Sequence, residues 1–169
     1  QNSAESIFPL RINDPKAVYL SPENFNVAAD GTGDDAPAIQ AAIDLVREKS
    51  GGGIVFIPEG TYRLGKTVYV WRGIRLIGYG KERPVFKLED NTPGYQEGDH
   101  KYMVHYCQGP GGSGGRLQPG TWVTEDFQDG TYTTFYSGLQ NINFEIGDGN
   151  PAAIALRYHV AQVCVLDHV

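Results

Sequence analysis

Hydrophobic residues recur at helical spacing in only one stretch of this chain. Within residues 36–49 they fall three or four positions apart, at Ile39, Ala42, Ile43 and Val46. Asp34 or Asp35 can accept hydrogen bonds from the first free N–H groups of such a helix, and Pro37 fits its first turn. Glycines 51–53 follow and supply the left-handed conformation in which helices often end. The pattern predicts one amphipathic helix over residues 36–49.

Short strands are predicted for most of the remaining sequence. Eight segments are rich in β-branched and aromatic residues and are interrupted by Gly, Pro, Asn or Asp: 54–64, 66–71, 73–78, 84–89, 101–107, 139–146, 152–158 and 162–169. The run Leu139-Gln-Asn-Ile recurs as Leu166-Asp-His-Val, 27 residues later. A period in the twenties with three short strands per period is typical of a β-solenoid coil.

The predicted order of one helix followed by short strands indicates the domain organisation. Residues 1–25 are predicted to form an extended N-terminal segment, and residues 26–169 the N-terminal part of a parallel β-helix. Residues 108–136 are too long for a simple turn and carry several aromatic residues, so they are predicted to be an insertion loop. The amphipathic helix just before the first coil is expected to cover the open end of the solenoid.

The C-terminal end of the sequence has no such cover. The chain stops at Val169 within an apolar strand, which would leave unpaired N–H and C=O groups along one edge. We therefore expect a truncated β-helix whose partner is its own missing C-terminal coils. Val163, Val165, Leu166 and Val169 should lie on an uncovered coil, so that the isolated chain is weakly stable or associates through this end.

Composition narrows the function classes. The chain has 14 Lys and Arg against 20 Asp and Glu, a net charge of −6, and the basic residues are scattered, which argues against a nucleic-acid partner. No apolar run approaches the ~20 residues of a membrane span. The opening QNSAES is typical of a chain after signal-peptide removal and favours a secreted or cell-surface protein. Cys107 and Cys164 can form one bridge or remain two buried thiols.

Two segments resemble known families. FNVAADGTGDDAPAIQAAID followed by GGGIVFIPEGTYRL resembles the entry segment of the pectate-lyase-like, right-handed parallel β-helix superfamily. NPAAIALRYHVAQVCVLDHV is similar to a stretch of glycoside hydrolase family 55, the exo-β-1,3-glucanases or laminarinases. The resemblance implies a right-handed, single-stranded parallel β-helix. It also implies a parent protein that degrades a β-glucan or related polysaccharide, a glycoside hydrolase being favoured over a polysaccharide lyase.

The family 55 resemblance also implies roles for individual residues. Gln162 corresponds to a residue in the polar network that holds the attacking water, whereas His159 stands where glutamine is common and Tyr158 where tryptophan is. The carboxylic acid that protonates the leaving group lies in a second β-helix of the family, for which this chain has no room. We therefore expect no β-glucan hydrolysis by these 169 residues alone. The alternative for Gln162 and His159 is that both bond backbone groups at coil corners.

The carboxylates within the chain give weak candidates for catalysis. Glycoside hydrolysis needs two carboxyl groups ~5–9.5 Å apart. Glu145 and Asp167 lie on different coils and could approach each other on a shared face, although solvated surface positions explain both. Helix capping explains Asp34 and Asp35, and a turn explains Asp30.

Neither a metal nor a cofactor is predicted, because the histidines and cysteines lack ligand spacing. Four aromatic residues are candidates for stacking on sugar rings: Trp71, Trp122, Tyr132 and Tyr136. Packing beneath the insertion loop is the alternative for them. Besides the glycan-degrading enzyme, two other functions fit this sequence: a non-catalytic carbohydrate-binding or cell-surface β-helix, and a tailspike-like structural protein.

Overall fold

The computed structural model describes residues 5–98, 100–109, 128–129, 136–158 and 165–169. Within them lie one helix, α1 (Ala36–Ser50), and twelve strands. The strands are β1 (Val18–Tyr19), β2 (Gly53–Pro58), β3 (Thr61–Arg63), β4 (Val68–Trp71), β5 (Ile74–Tyr79), β6 (Val85–Leu88), β7 (Lys101–Gly109), β8 (Gln128–Asp129), β9 (Gly138–Gln140), β10 (Asn143–Ile146), β11 (Ala153–Arg157) and β12 (Val165–Asp167).

Three parallel sheets form the body of the molecule. Sheet A has the order β1-β2-β5-β9-β12, sheet B the order β3-β6-β10, and sheet C the order β4-β7-β11. Each complete coil gives one strand to each sheet, so consecutive strands belong to different sheets. The short strand β8 pairs antiparallel with β7. This arrangement confirms the predicted parallel β-helix.

Sheet A carries a column of aliphatic side chains along the axis. Val18, Val55, Leu76, Leu139 and Leu166 are consecutive partners in its register. The first four are buried, whereas Leu166 at the end of the column is 49% exposed. The register of Leu139 with Leu166 confirms that the 27-residue recurrence is one coil of the solenoid.

Helix α1 is one residue longer than predicted, and its ends are held as the sequence suggested. The Asp34 carboxylate accepts the Ala36 N–H at 3.1 Å. Asp35 occupies the N-cap position, but its carboxylate accepts the N–H groups of Ala28 and Ala29 instead. Gly51 adopts the left-handed conformation with φ +71°, and its N–H donates to the carbonyl of Arg47.

The apolar face of α1 lies on the core of the first coil. Ile39, Ala42, Ile43 and Val46 are all buried in the main hydrophobic cluster. The side chain of Gln40 hydrogen-bonds the backbone of Tyr69 in β4, the edge strand of sheet C. The helix therefore covers both the core and a strand edge, which confirms the predicted cap.

An extended N-terminal segment, residues 5–8, crosses the corner between sheets A and B. Glu5 forms an antiparallel bridge with Glu82, and the N–H of Gly80 donates to the carbonyl of Phe8. The Ile7 N–H donates to the side-chain oxygen of Asn141 at 3.0 Å. These bonds connect the segment to two successive coils of the β-helix.

Candidate functional site

Most of the site residues suggested by the sequence lie outside the described residues. His159, Gln162, Trp122 and Tyr132 belong to this group, so their proposed roles remain predictions. Tyr136 is described, with a side chain that is 59% exposed and a backbone φ of +60°. Its exposure is compatible with the predicted contact to a sugar ring.

Trp71 does not offer a face to a ligand. Its side chain is only 1% exposed, and its indole N–H donates to the Asp44 carboxylate at 2.8 Å. The ring stacks on Tyr69 and lies beneath the guanidinium of Arg47. Of the two roles open to Trp71, contact with a sugar is therefore contradicted and packing is confirmed, because α1 buries the ring.

Glu145 and Asp167 do not share a face. Glu145 belongs to β10 of sheet B, whereas Asp167 belongs to β12 of sheet A. Asp167 is paired with its neighbour, the Nδ1 atom of His168, at 2.6 Å. Two sheets that meet at a corner point their outer side chains in different directions, so this pair is not arranged for hydrolysis.

The carboxylates within residues 30–35 accept hydrogen bonds from nearby backbone N–H groups. The Asp30 carboxylate accepts bonds from the hydroxyl and N–H of Thr32, and the hydroxyl contact lowers the pKa of Asp30 most. Asp34 accepts the N–H of Gly65 as well as that of Ala36. These contacts agree with the turn predicted for Asp30 and the helix cap predicted for Asp34. The cap predicted for the Asp35 side chain is wrong, because its carboxylate accepts the N–H groups of Ala28 and Ala29.

The outer face of sheet C carries a row of polar and aromatic side chains. Tyr69, His105 and Arg157 are register partners on β4, β7 and β11. Tyr69 lies between the fully buried Val68 and Val70, and alternation along a strand therefore places Tyr69 on the opposite, outer face. Parallel register places the other two side chains on the same face.

Ring contacts connect this row to a fourth residue, Tyr102. The rings of Tyr102 and His105 are 5.0 Å apart and edge-on, and those of Tyr69 and His105 are 6.0 Å apart. The guanidinium of Arg157 lies 5.8 Å from the centre of the Tyr102 ring. We call Tyr69, Tyr102, His105 and Arg157 the sheet C row. His105 is 7% exposed, whereas the other three are half-buried.

Two hydroxyl groups hold the strand that carries Tyr102. The Thr67 hydroxyl and the Tyr95 hydroxyl both donate to the Tyr102 carbonyl, at 2.5 and 3.2 Å. Burial raises the pKa of Tyr95 and also that of Tyr69, so both phenols keep their protons well into the alkaline range. The two hydroxyl groups that hold the Tyr102 carbonyl are therefore neutral over the physiological pH range.

This arrangement can hold a sugar ring and a negative charge. Aromatic faces offer flat apolar surface, and a guanidinium binds carboxylates with two parallel hydrogen bonds. Among the described residues, no group of three or more His, Cys, Asp or Glu is arranged to hold a metal ion. The aromatic rings and the guanidinium of the row suit recognition of a ring bearing hydroxyl or carboxyl groups.

Sequence reasoning did not assemble the sheet C row. The histidines lack metal-ligand spacing, and no motif marks His105, Tyr102 or Arg157 in the sequence. A signal was present: the segments VYVW, KYMVHYC and AIALRY occupy the third strand of successive coils. Aligning these third strands would have placed Tyr69, His105 and Arg157 in one register.

Comparison with known proteins places the chain in a family. The family model described as rhamnogalacturonase A/epimerase, pectate lyase-like, matches residues 20–169. The chain belongs to this pectate-lyase-like family. The match covers nearly the whole sequence and agrees with the three-sheet β-helix. It does not extend to glycoside hydrolase family 55, the narrower group suggested by residues 150–169.

Curated relatives of this pectate-lyase-like chain match short parts of much longer proteins. Mannuronan C5-epimerase AlgE3 of Azotobacter vinelandii is 37% identical over 84 residues, which cover 46% of this chain and 4% of that protein. Alginate lyase 7 of the same organism is 36% identical over 75 residues, covering 40% and 9%. Plasmin and fibronectin-binding protein A of Streptococcus pneumoniae is 43% identical over 51 residues, covering 30% and 7%.

A solved structure supports the fold assignment. ORF18 of Geobacillus virus E2 superposes with a TM-score of 0.50 at 24% identity, covering 83% of this chain and 22% of the viral chain. Within the described part of this pectate-lyase-like chain, no helix is long and apolar enough to cross a membrane.

Proposed function

We propose that this chain is the N-terminal part of a secreted or cell-surface protein that acts on a polysaccharide, and that the sheet C row contacts the glycan. The observation that carries the proposal is the alignment of Tyr69, His105 and Arg157 across three coils, with Tyr102 beneath the guanidinium. Successive strands of a parallel sheet are ~4.8 Å apart, so three coils span roughly two sugar units.

Each member of the row has a role in this proposal. Tyr69 and Tyr102 provide apolar ring surface for the C–H faces of a sugar. Arg157 provides a guanidinium for a carboxylate or for vicinal hydroxyl groups. His105 touches both tyrosine rings and is almost fully buried, so we assign it a positioning role rather than a reacting one.

An acidic polysaccharide fits this surface best. Relatives of this chain are named as mannuronan epimerases and an alginate lyase, and alginate bears a carboxylate on every sugar. The chain carries a net charge of −6, so a local cation is needed where such a polymer binds. Arg157 meets that need at the β11 end of the row.

Hydrolysis of a β-glucan is the second candidate. The similarity of residues 150–169 to glycoside hydrolase family 55 favours it, with Gln162 bonding the attacking water and the general acid outside these 169 residues. Under this candidate the isolated chain would bind laminarin without cleaving it. A binding-only cell-surface β-helix would likewise show affinity and no turnover.

Affinity measurements on a panel of polysaccharides test the proposal. We expect the chain to bind sodium alginate and polygalacturonate more tightly than laminarin. Arg157→Gln should weaken binding of the acidic polymers by about tenfold, which is the size of one lost charge-assisted contact. Lys87→Gln removes the same charge from β6 of sheet B and should leave affinity unchanged.

Affinities for the panel of polysaccharides also distinguish the candidate functions. Tighter binding of laminarin than of alginate would favour the β-glucan candidate. No binding to any polysaccharide, or equal losses in the Arg157 and Lys87 variants, would contradict a glycan contact at the sheet C row.

A further inference from the structure

Tyr136 occupies a backbone conformation that suits it poorly. Its φ of +60° lies in the left-handed region, where a bulky residue is an outlier with a strained backbone. Glycine or asparagine would adopt the same backbone at lower cost. The presence of tyrosine at this position therefore needs a reason other than the turn itself.

The surrounding corner forces this conformation on Tyr136. The carbonyl of Tyr136 accepts the Nε–H of Arg75 at 3.4 Å. The next residue, Ser137, is fully buried; its hydroxyl accepts the Gly73 N–H at 3.2 Å, and its carbonyl accepts the Tyr158 hydroxyl at 3.1 Å. The Tyr136 carbonyl and Ser137 are thus held by Arg75, Gly73 and Tyr158.

The side chain of Tyr136 is 59% exposed, so burial in the core does not explain its choice either. Tyr136 lies where the chain passes from sheet C to sheet A, just before β9. Arg75 stands on β5 as the register partner of Gly138, two residues after Tyr136. An exposed aromatic ring and a guanidinium are thereby fixed at one corner of the β-helix.

We infer that Tyr136 and Arg75 form a glycan subsite at this corner, with the ring stacking on a sugar and the guanidinium binding a uronate carboxylate. The inference rests on the proposed function and extends it from the sheet C row to the neighbouring corner. It explains why a residue that strains the backbone stands there: the ring is used for binding, at the expense of stability.

Substitutions at Tyr136 separate binding from strain. Tyr136→Gly should raise the Tm by about 2–4 °C, because it relieves the left-handed strain, yet weaken alginate binding by about tenfold. Tyr136→Phe keeps the ring and should bind within about twofold of the unaltered protein. Ala29→Gly is the matched control, because Ala29 also has a positive φ of +55° and carries no ring. It should leave the affinity for alginate unchanged.

The role of Arg75 is tested by one substitution that removes its charge and one that keeps it. Arg75→Gln should weaken binding of sodium alginate and reduce its dependence on salt, whereas Arg75→Lys should retain most of both. These measurements use isothermal titration calorimetry with alginate oligosaccharides and melting curves on the same preparations.

The outcomes distinguish this subsite from the proposed function. If the unaltered chain binds no polysaccharide, both are overturned. If it binds alginate and Tyr136→Gly binds equally well, the subsite is overturned while the sheet C row stands. If Tyr136→Gly loses both affinity and stability, the strain argument is overturned, because the ring would then be supporting the fold.

Discussion

The side-chain amide of Gln40 bonds the backbone of Tyr69 as a neighbouring strand would. Its Nε2 donates to the Tyr69 carbonyl at 3.0 Å, and its Oε1 accepts the Tyr69 N–H at 2.9 Å. The same Nε2 also lies 3.1 Å from Asp44, which accepts the indole N–H of Trp71. A single glutamine on α1 thus satisfies the backbone of Tyr69 at the edge of sheet C, where the preceding coil would otherwise pair.

Removal of this amide should destabilise the first coil. Gln40→Ala leaves a backbone donor and acceptor of Tyr69 without their partner in a buried place, at about 1–3 kcal/mol for each unsatisfied group. Urea unfolding should therefore show a lower midpoint with an unchanged slope. Glu48→Ala, on the exposed side of the same helix, is the control and should shift the midpoint little. Equal effects of the two substitutions would contradict the role given to Gln40.

The apolar face of α1 should not tolerate charge. Ile43 is fully buried in the core cluster, so Ile43→Asp places an unpaired carboxylate there and should lower stability by more than about 3 kcal/mol. Ala41→Asp introduces the same group on the exposed face. Thermal melting of the two variants should differ widely, and a Tm for Ile43→Asp equal to that of Ala41→Asp would disprove the capping assignment.

Asn141 connects the N-terminal segment to the coils. Its replacement should lower stability in two ways, through lost hydrogen bonds and through backbone strain. Asn141 is fully buried, has φ +58°, and its Nδ2 donates to the Gly78 carbonyl and the Ser6 hydroxyl, each at 2.8 Å. Asn141→Gly removes the hydrogen bonds but allows the backbone, whereas Asn141→Ala removes the bonds and adds strain.

The two Asn141 variants should differ from each other in melting temperature. Both should melt below the unaltered protein, with Asn141→Ala the less stable by about 1 kcal/mol. Ser6→Ala removes one partner only and should have the smallest effect. Limited proteolysis should also cut residues 5–8 faster in the Asn141 variants. Equal stability of the Gly and Ala variants would argue against strain at this corner.

Stability should fall in alkaline solution because of buried tyrosines. Burial raises the pKa of Tyr62 well above its ordinary value, and its hydroxyl donates to the Pro58 carbonyl at 2.7 Å. The folded state then holds this proton more tightly than the unfolded state, whose tyrosines titrate near pH 10. The stabilisation is complete below about pH 10 and is lost as the pH rises towards the folded pKa.

Tyr62→Phe tests this pH dependence. The variant loses one hydrogen bond, so it should be about 1 kcal/mol less stable at neutral pH. It should nevertheless lose less stability than the unaltered protein between neutral pH and about pH 11. Tyr95→Phe should behave in the same way, because burial also raises the pKa of Tyr95. Identical alkaline slopes for all three proteins would refute the explanation.

Periodicity in the sequence was sufficient to predict the architecture. The spacing of Ile39 and Ile43 predicts a helix with one apolar face, and the recurrence of Leu139 at Leu166 predicts the coil, because burial against a repeated core imposes both patterns. The helix was predicted to end one residue early. The glycines allow the helix to stop but do not fix its last hydrogen bond.

The site was less predictable, because its members come from different coils. Tyr69, His105 and Arg157 are far apart in the sequence, and only the register of sheet C brings them together. The burial of Trp71 was equally hard to predict. Its exposure depends on the position of α1, and the local sequence around Trp71 gives no information about that position. Loops of unequal length between strands hide the alignment that would reveal such positions.

Hydrogen exchange with and without bound alginate tests the central claim most directly. The account predicts slower exchange of backbone amides in β7 and β11 of sheet C when the polysaccharide is present, and unchanged exchange in β6 and β10 of sheet B. Protection confined to sheet B, or uniform across all three sheets, would contradict the assignment of the sheet C row as the glycan-binding face.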